Sequence, residues 1–267
     1  MKMYWFERDE KTNEDLERRV NELKKAGMDG VMYPFGNTMG DYFTRISRII
    51  DTQSKFKFIV ALRPYTISAQ YLSMICSSIS KISKDILAIN FLTGYVNEHE
   101  KSYGGILTMP NDSSSSIVRS NYMLEYAKDF KNISKNEFFI STTNETVFSN
   151  SAENGFAMII PYVSYKAKGF DVKDQKVVIS IAPILSESPI DGKYECDNNN
   201  ECRHPAGSPC MDLDLFTIEE FFEFLDVLEK SGIHGMLFHE SDFVGEEYDR
   251  ILPAITEYNR RKSEVEK

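Results

Sequence analysis

The chain is short of cysteine and of positive charge. Four cysteines among 267 residues are too few for a disulfide scaffold, the device of small secreted domains that lack a large core. Lysine and arginine total 31 against 41 aspartates and glutamates, a formal net charge of −10. That balance argues against nucleic acid or an anionic membrane as a partner, since both are met by basic surface. No apolar run approaches the roughly 18 residues of a membrane-spanning helix. The opening MKMYWFERDEK has an apolar run of only four residues, Met3 to Phe6, before charges begin. No signal peptide is expected there, and the expectation is a soluble cytoplasmic protein. A G-x-G-x-x-G nicotinamide fingerprint is also missing.

What is present suits one large core. Hydrophobic residues make up 42% of the chain and aromatics 12%. Barrel-type α/β folds take about 250 residues. No linker or shift in composition divides the sequence, so a single domain over 1–267 is expected.

Residues 55–94 organise the rest. An apolar, β-prone run at 56–62 is long enough for a buried strand and short for a helix. Arg63-Pro64 ends it, because proline cannot continue a ladder. Tyr71, Met74, Ile75, Ile79 and Ile82 then recur at helical spacing among serines and lysines. A second apolar run, 86–92, ends at Thr93-Gly94. Strand, helix and strand in that order predict a parallel βαβ unit.

The same reading extends both ways. A strand is predicted at 3–6. A helix follows, opened by Thr12 with Asp15 in a capping box, lined by Leu16, Val20 and Leu23, and stopped at Gly27. A strand at 31–35 and a short helix at 41–50 come next. Residues 95–116 read as a long loop, followed by a helix at 117–130 and a strand at 138–140. Ser141-Thr142-Thr143-Asn144-Glu145 reads as a turn with a capping box from Thr142 to Glu145. Strands are predicted at 157–163 and 177–181, with 164–176 too short for a full helix and its connections. Residues 184–215 form a second irregular stretch. Thr217 and Glu220 cap a helix carrying Phe221, Phe224, Leu225 and Leu228, and a last strand (235–239) and helix (245–261) close the chain. Eight strands mostly separated by helices predict a (β/α)8 TIM-type barrel with shortened or missing helices and long loops after strands 4 and 7. Pattern alone also allows an open doubly wound sheet.

Ala61-Leu62-Arg63-Pro64, Ser68 and Asn90-Phe91-Leu92-Thr93-Gly94 together resemble the bacterial luciferase-like flavin monooxygenase superfamily, most closely its alkanesulfonate monooxygenase branch. Trp5-Phe6, Asp29-Gly30-Val31, residues 36–41 and Ser231-Gly232-Ile233 extend the resemblance. It implies the barrel rather than the open sheet. It also implies reduced FMN and dioxygen acting on a small organic substrate, a separate flavin reductase, and pairing of two copies through barrel helices. By the same resemblance Asn90 and Thr93 contact the flavin ring and Tyr122 reaches the flavin phosphate. Ser141, Thr142 and Thr143 fall where the family binds that phosphate. Hydroxyls and backbone N–H groups at a helix start also suit an anion on their own account. Ile140 and Ser141 replace the glycines of the family turn.

Departures define what to expect of the chemistry. Met39 stands where the alkanesulfonate branch has a cysteine, residues 178–182 lack its Arg and His, and Ser241 replaces a tyrosine. Desulfonation is therefore not expected, while oxygenation of another substrate is. His239, ending the last strand, is the candidate general base, with a purely structural histidine as the alternative. Two related readings stay open: a non-catalytic flavin-binding member, and a deazaflavin-dependent oxidoreductase. Outside the resemblance, Cys196, Cys202, His204 and Cys210 supply the three-cysteine, one-histidine ligand set of a zinc site. Their C-x5-C-x-H-x5-C spacing is not that of a standard finger, and unrelated free thiols are the alternative. A metal-dependent barrel enzyme would use this loop.

Overall fold

The structure, a computed structural model, describes residues 1–7, 12–35, 41–50, 55–93, 115–172, 174–186, 215–239 and 247–265. The elements run β1 (Lys2–Phe6), α1 (Asn13–Lys25), β2 (Gly30–Tyr33), α2 (Tyr42–Ile49), β3 (Lys57–Leu62), α3 (Ala69–Ile82), β4 (Leu87–Phe91) and α4 (Ser116–Ile133). They continue with β5 (Glu137–Ser141), α5 (Glu145–Glu153), β6 (Ala157–Pro161), α6 (Tyr162–Lys168), β7 (Val177–Ile181), β8 (Ile184–Ser186), β9 (Leu215–Thr217), α7 (Ile218–Lys230), β10 (Gly235–His239) and α8 (Glu247–Val265). Strands β1 to β7 and β10 form a closed barrel. Every pairing in it is parallel, and β1 meets β10 in register from Lys2↔Gly235 to Phe6↔His239. Closure rules out the open sheet.

The strand sequences explain the closure. Helices cover the barrel outside and side chains fill it inside, so the strands are apolar on both faces. Alternation then sorts the residues. Tyr4, Met32, Ile59, Ala88, Phe139, Ile159, Val178 and Leu237, one from each barrel strand, form a single inner cluster. Their neighbours Val31, Phe58, Val60, Ile89, Phe138 and Ile140 belong to the larger outer core. Below the inner cluster, at the N-terminal mouth, Glu137 bridges two lysines. Lys57 Nζ lies 2.8 Å from one carboxylate oxygen and Lys176 Nζ meets the other. Gly30 faces Lys57 there, and a Cβ on it would stand 2.3 Å from the Lys57 carbonyl oxygen. The close approach of β2 to β3 therefore needs glycine.

Four expectations are corrected. Each barrel strand is followed by a helix, so no helix of the eight βα units is missing among the described residues. The strand predicted at 157–163 ends at Pro161, and the seven-residue α6 takes up Tyr162 at once and ends in a left-handed Gly169, φ +58°. The stretch 184–215 is not irregular at its ends, where β8 and β9 pair in parallel from Ile184↔Leu215 to Ser186↔Thr217. The face of α3 is also different. Of the expected residues Ile79 is buried and Ile75 half-buried against the core, but Tyr71, Met74 and Ile82 are 57%, 63% and 48% exposed, and Ala69, Leu72 and Cys76 complete the inward face instead. Both stripes have helical spacing. The stripe of smaller residues turns inward because α3 packs against both the barrel and α4, and Ser73 Oγ donates to the Ile133 carbonyl 3.2 Å away. The boxes at Thr12–Asp15 and Thr217–Glu220 form as expected.

Candidate functional site

The alternation that fills the barrel also sets its C-terminal mouth. Two residues above the inner cluster, the same row of inward positions continues as Phe6, Ala61, Asn90, Ser141, Pro161, Ser180 and His239. Four of these seven are polar, in strands otherwise apolar. They sit in two couples on opposite sides of the mouth.

The first couple joins β4 to β5. Asn90 is 1% exposed. Its Oδ1 accepts from Ser141 Oγ at 2.9 Å. Its Nδ2 donates to Met32 Sδ at 3.4 Å, a thioether and so a weak acceptor. A buried amide donor served by sulfur can donate to a ligand oxygen or ring nitrogen. The second couple joins β7 to β10. Ser180 Oγ and His239 Nε2 are 3.0 Å apart. Phe6 lies against the histidine, ring centroids 6.0 Å apart and edge to face, so one wall of the imidazole is apolar. A hydroxyl can donate to a bare imidazole nitrogen or accept from a protonated one, so this contact fixes the ring in either tautomer.

The remaining expected site residues surround the β4–β5 side. Strand β4 ends at Phe91, and Thr93, two residues beyond, is half-buried on the rim. Asn90 and Thr93 therefore do not share a strand face. Tyr122 lies in the second turn of α4, half-buried. The turn after β5 differs from the reading that Thr142 and Glu145 form a capping box. Thr142 Oγ1 accepts from Asn144 N at 2.9 Å instead. Asn144 is the N-cap of α5, and its Oδ1 accepts from Thr146 N and Val147 N at 2.9 and 3.2 Å. Asparagine wins because it stands two residues closer to the helix, at the N-cap itself, from which its Oδ1 reaches the N2 and N3 N–H groups. Thr142 is 8% exposed, while Thr143 is exposed and its carbonyl accepts from Lys168 Nζ at 2.6 Å. Ser141 faces the barrel rather than the helix start.

Ser180 is the functional candidate that the sequence reading passed over. It was legible as a lone hydroxyl in the otherwise apolar strand 177–181. Cys196, Cys202, His204 and Cys210 lie outside the described residues, as do Met39 and Ser241. Among the described residues, no group of three His, Cys, Asp or Glu side chains is placed to hold a metal ion. No helix among them is long and apolar enough to cross a membrane.

No family model matches the chain. No curated protein matches it either. Solved structures do. An EDTA monooxygenase from Chelativorans sp. BNC1 superposes with a TM-score of 0.66 at 8% identity, over 98% of this chain and 94% of that one. The oxygenating constituent of 3,6-diketocamphane monooxygenase from Pseudomonas putida, in complex with FMN, gives 0.61 at 10% identity over 91% and 90%. A coenzyme F420-dependent tetrahydromethanopterin reductase from Methanopyrus kandleri gives 0.63 at 10% identity over 96% and 97%. At these identities the likeness is one of fold.

Proposed function

We propose that this chain is a flavin-dependent oxidoreductase of the luciferase-like superfamily, a monooxygenase that uses reduced FMN and dioxygen on a small organic substrate. One observation carries the reading. The polar residues of the barrel mouth are those a flavin site needs, in a fold whose solved examples include an FMN-bound monooxygenase. Enzymes on this barrel work at the C-terminal face, where both couples stand.

The residues fit the cofactor. Asn90 holds a buried amide whose donor is served only by sulfur in the described contacts, and Thr93 stands on the rim above it. These two are assigned to the flavin ring. Tyr122, with Ser141, Thr142 and Thr143 at the β5–α5 turn, is assigned to the side of the flavin that carries its phosphate. When bound, the reduced flavin supplies the electrons for oxygen chemistry, and the protein supplies orientation and exclusion of water. Phe6 keeps one side of the mouth apolar. His239 Nε2, steadied by Ser180, holds or takes a proton from substrate. A separate reductase supplies the reduced flavin, since no nicotinamide fingerprint occurs in the chain.

The likeness to a coenzyme F420-dependent reductase supports a second reading, a deazaflavin-dependent oxidoreductase using the same mouth. Anaerobic titration with photoreduced FMN, oxidised FMN and a reduced deazaflavin separates the two. Selective binding of reduced FMN, lost in Asn90→Leu, is the expected result. Selective binding of the deazaflavin would move the assignment to the second reading, and binding of neither would remove both.

A further inference from the structure

The barrel mouth divides into two halves. In the order of the sheet, β6, β7, β10 and β1 are consecutive, and they bring Pro161, Ser180, His239 and Phe6 to the inward row. The other half, β2 to β5, holds Asn90 and Ser141, the residues assigned to the flavin. Pro161, Ser180, His239 and Phe6 are all half-buried. Beneath them Ile159, Val178, Leu237 and Tyr4 are at most 3% exposed. This half is therefore open at the mouth and closed below, as a ligand site on a barrel should be.

Its lining restricts the ligand. Phe6 and Pro161 are apolar, and the Phe6 ring stands edge to face with the imidazole at 6.0 Å. None of the four side chains carries a permanent charge, in a chain of net charge −10. A carboxylate or sulfonate placed against them would lose water and gain no guanidinium or ammonium partner. Ser180 supplies the hydrogen bonding. Its Oγ meets His239 Nε2 at 3.0 Å. A hydroxyl has one donor and two acceptor sites, so this contact leaves at least one for a ligand. Where Nε2 is bare, Ser180 donates to it and can accept from a ligand hydroxyl. Where Nε2 is protonated, Ser180 accepts from it and can donate to a ligand hydroxyl or carbonyl.

We propose that the β6–β7–β10–β1 half of the mouth binds a neutral molecule with an apolar body and one oxygen function, a hydroxyl or a carbonyl. The oxygen is held by Ser180 of the Ser180–His239 couple, and the apolar body lies against Phe6 and Pro161. That this molecule is the substrate rests on the flavin reading; the binding site stands on its own residues.

NMR signals of the His239 ring in the full chain, identified by their loss in His239→Gln, report binding, measured anaerobically with and without reduced FMN. The probes are 1-phenylethanol, acetophenone, toluene and benzoate. The proteins are wild type, Ser180→Ala and Ser180→Thr. Wild type is expected to bind the alcohol, or the alcohol and the ketone, about fivefold more tightly than toluene, the contribution of one hydrogen bond. Benzoate is expected to bind more weakly than either. Ser180→Ala, with an unchanged melting curve, is expected to bind toluene as before and to lose the preference. Ser180→Thr keeps the hydroxyl and is expected to retain the preference, which packing alone would not explain. Preference for the alcohol alone gives a bare Nε2, and preference that includes the ketone gives a protonated one; both support the site. Equal affinity for toluene and the oxygen-bearing probes in wild type, an undiminished preference in Ser180→Ala, tightest binding of benzoate, or no binding of any probe overturns it. Binding of reduced FMN without the probe preference overturns this inference alone. The probe preference without binding of any flavin leaves the site standing and overturns the flavin reading.

Discussion

Asn90 is the residue on which most of the mouth depends. It accepts from Ser141 on the next strand and donates to Met32 from within the barrel. Truncation to alanine leaves a serine hydroxyl facing a void. Asn90→Ala is expected to lower unfolding free energy by about 1–3 kcal/mol, the cost of an unmade buried hydrogen bond, while Ser141→Ala costs less because Asn90 Oδ1 can turn to water at the mouth. Urea unfolding of the two single variants and the double variant checks this. If the pair acts as described, the double variant loses less than the sum of the singles; strict additivity would show that the couple is not coupled. Asn90 was legible in the sequence as an asparagine amid Ile, Ala and Phe. Its partner was not, because Ser141 has the same residue type whether it caps a helix or lines a barrel. Only strand register decides between the two.

At the scale of elements, α3 shows where pattern runs out. The sequence offers two apolar stripes at helical spacing, and the bulkier one is exposed. Leu72 is 0% exposed and Met74 is 63% exposed. Leu72→Ala is expected to lower stability by about 2–5 kcal/mol through the cavity it leaves, whereas Met74→Lys is expected to change it by no more than about 0.5 kcal/mol. Thermal or urea denaturation would expose the reverse order if the bulkier stripe faced the core. Helix starts were easier to read. The Thr217 side chain accepts from Glu220 N at 3.3 Å and Glu220 bonds back to Thr217 N at 2.7 Å, all within four residues of sequence. Thr217→Ala is expected to cost about 1 kcal/mol, read as a shift in the urea midpoint at unchanged slope. The cap of α5 was misread because Thr142 and Asn144 are both good caps, and the chain path after β5 picks the second.

For the whole molecule, the N-terminal mouth carries a pH dependence. Burial pushes Glu137 up, but hydrogen bonds from Lys176 and Lys57, and then their charges, outweigh it and hold the carboxyl below its usual range. A depressed carboxylate contributes stability above its unfolded value, about 4.3, and loses it as pH falls through the folded value. His234 beside this cluster is pushed down, by burial first and the Lys176 charge next. The unfolded chain then binds that proton more readily, so stability falls as pH drops below about 6.5 and levels off under the folded value. Urea midpoints are expected to decline in two steps below neutrality. His234→Gln is expected to remove the upper step and Glu137→Gln to shrink the lower one, to which the depressed carboxyls of Asp15, Glu219, Glu220, Glu229 and Glu257 also contribute. Glu137→Gln is also expected to cost about 2 kcal/mol at pH 7, reduced from the fully buried case by partial exposure, because it leaves two lysines facing each other. A curve unchanged by both substitutions would dissociate the mouth from acid stability.

The sequence by itself determined eight apolar strands mostly alternating with locally capped helices, a pattern that allowed a closed barrel or an open doubly wound sheet; the pairing of β1 with β10 decided for closure. The sequence also determined which residue types are available at strand ends. What it did not determine is which of them meet. The Asn90–Ser141 couple spans 51 residues and the Ser180–His239 couple 59. Such meetings depend on strand register, on the inward or outward parity of each position, and on which helix face a neighbour covers. Those quantities are fixed only when the sheet closes, and no local pattern encodes them.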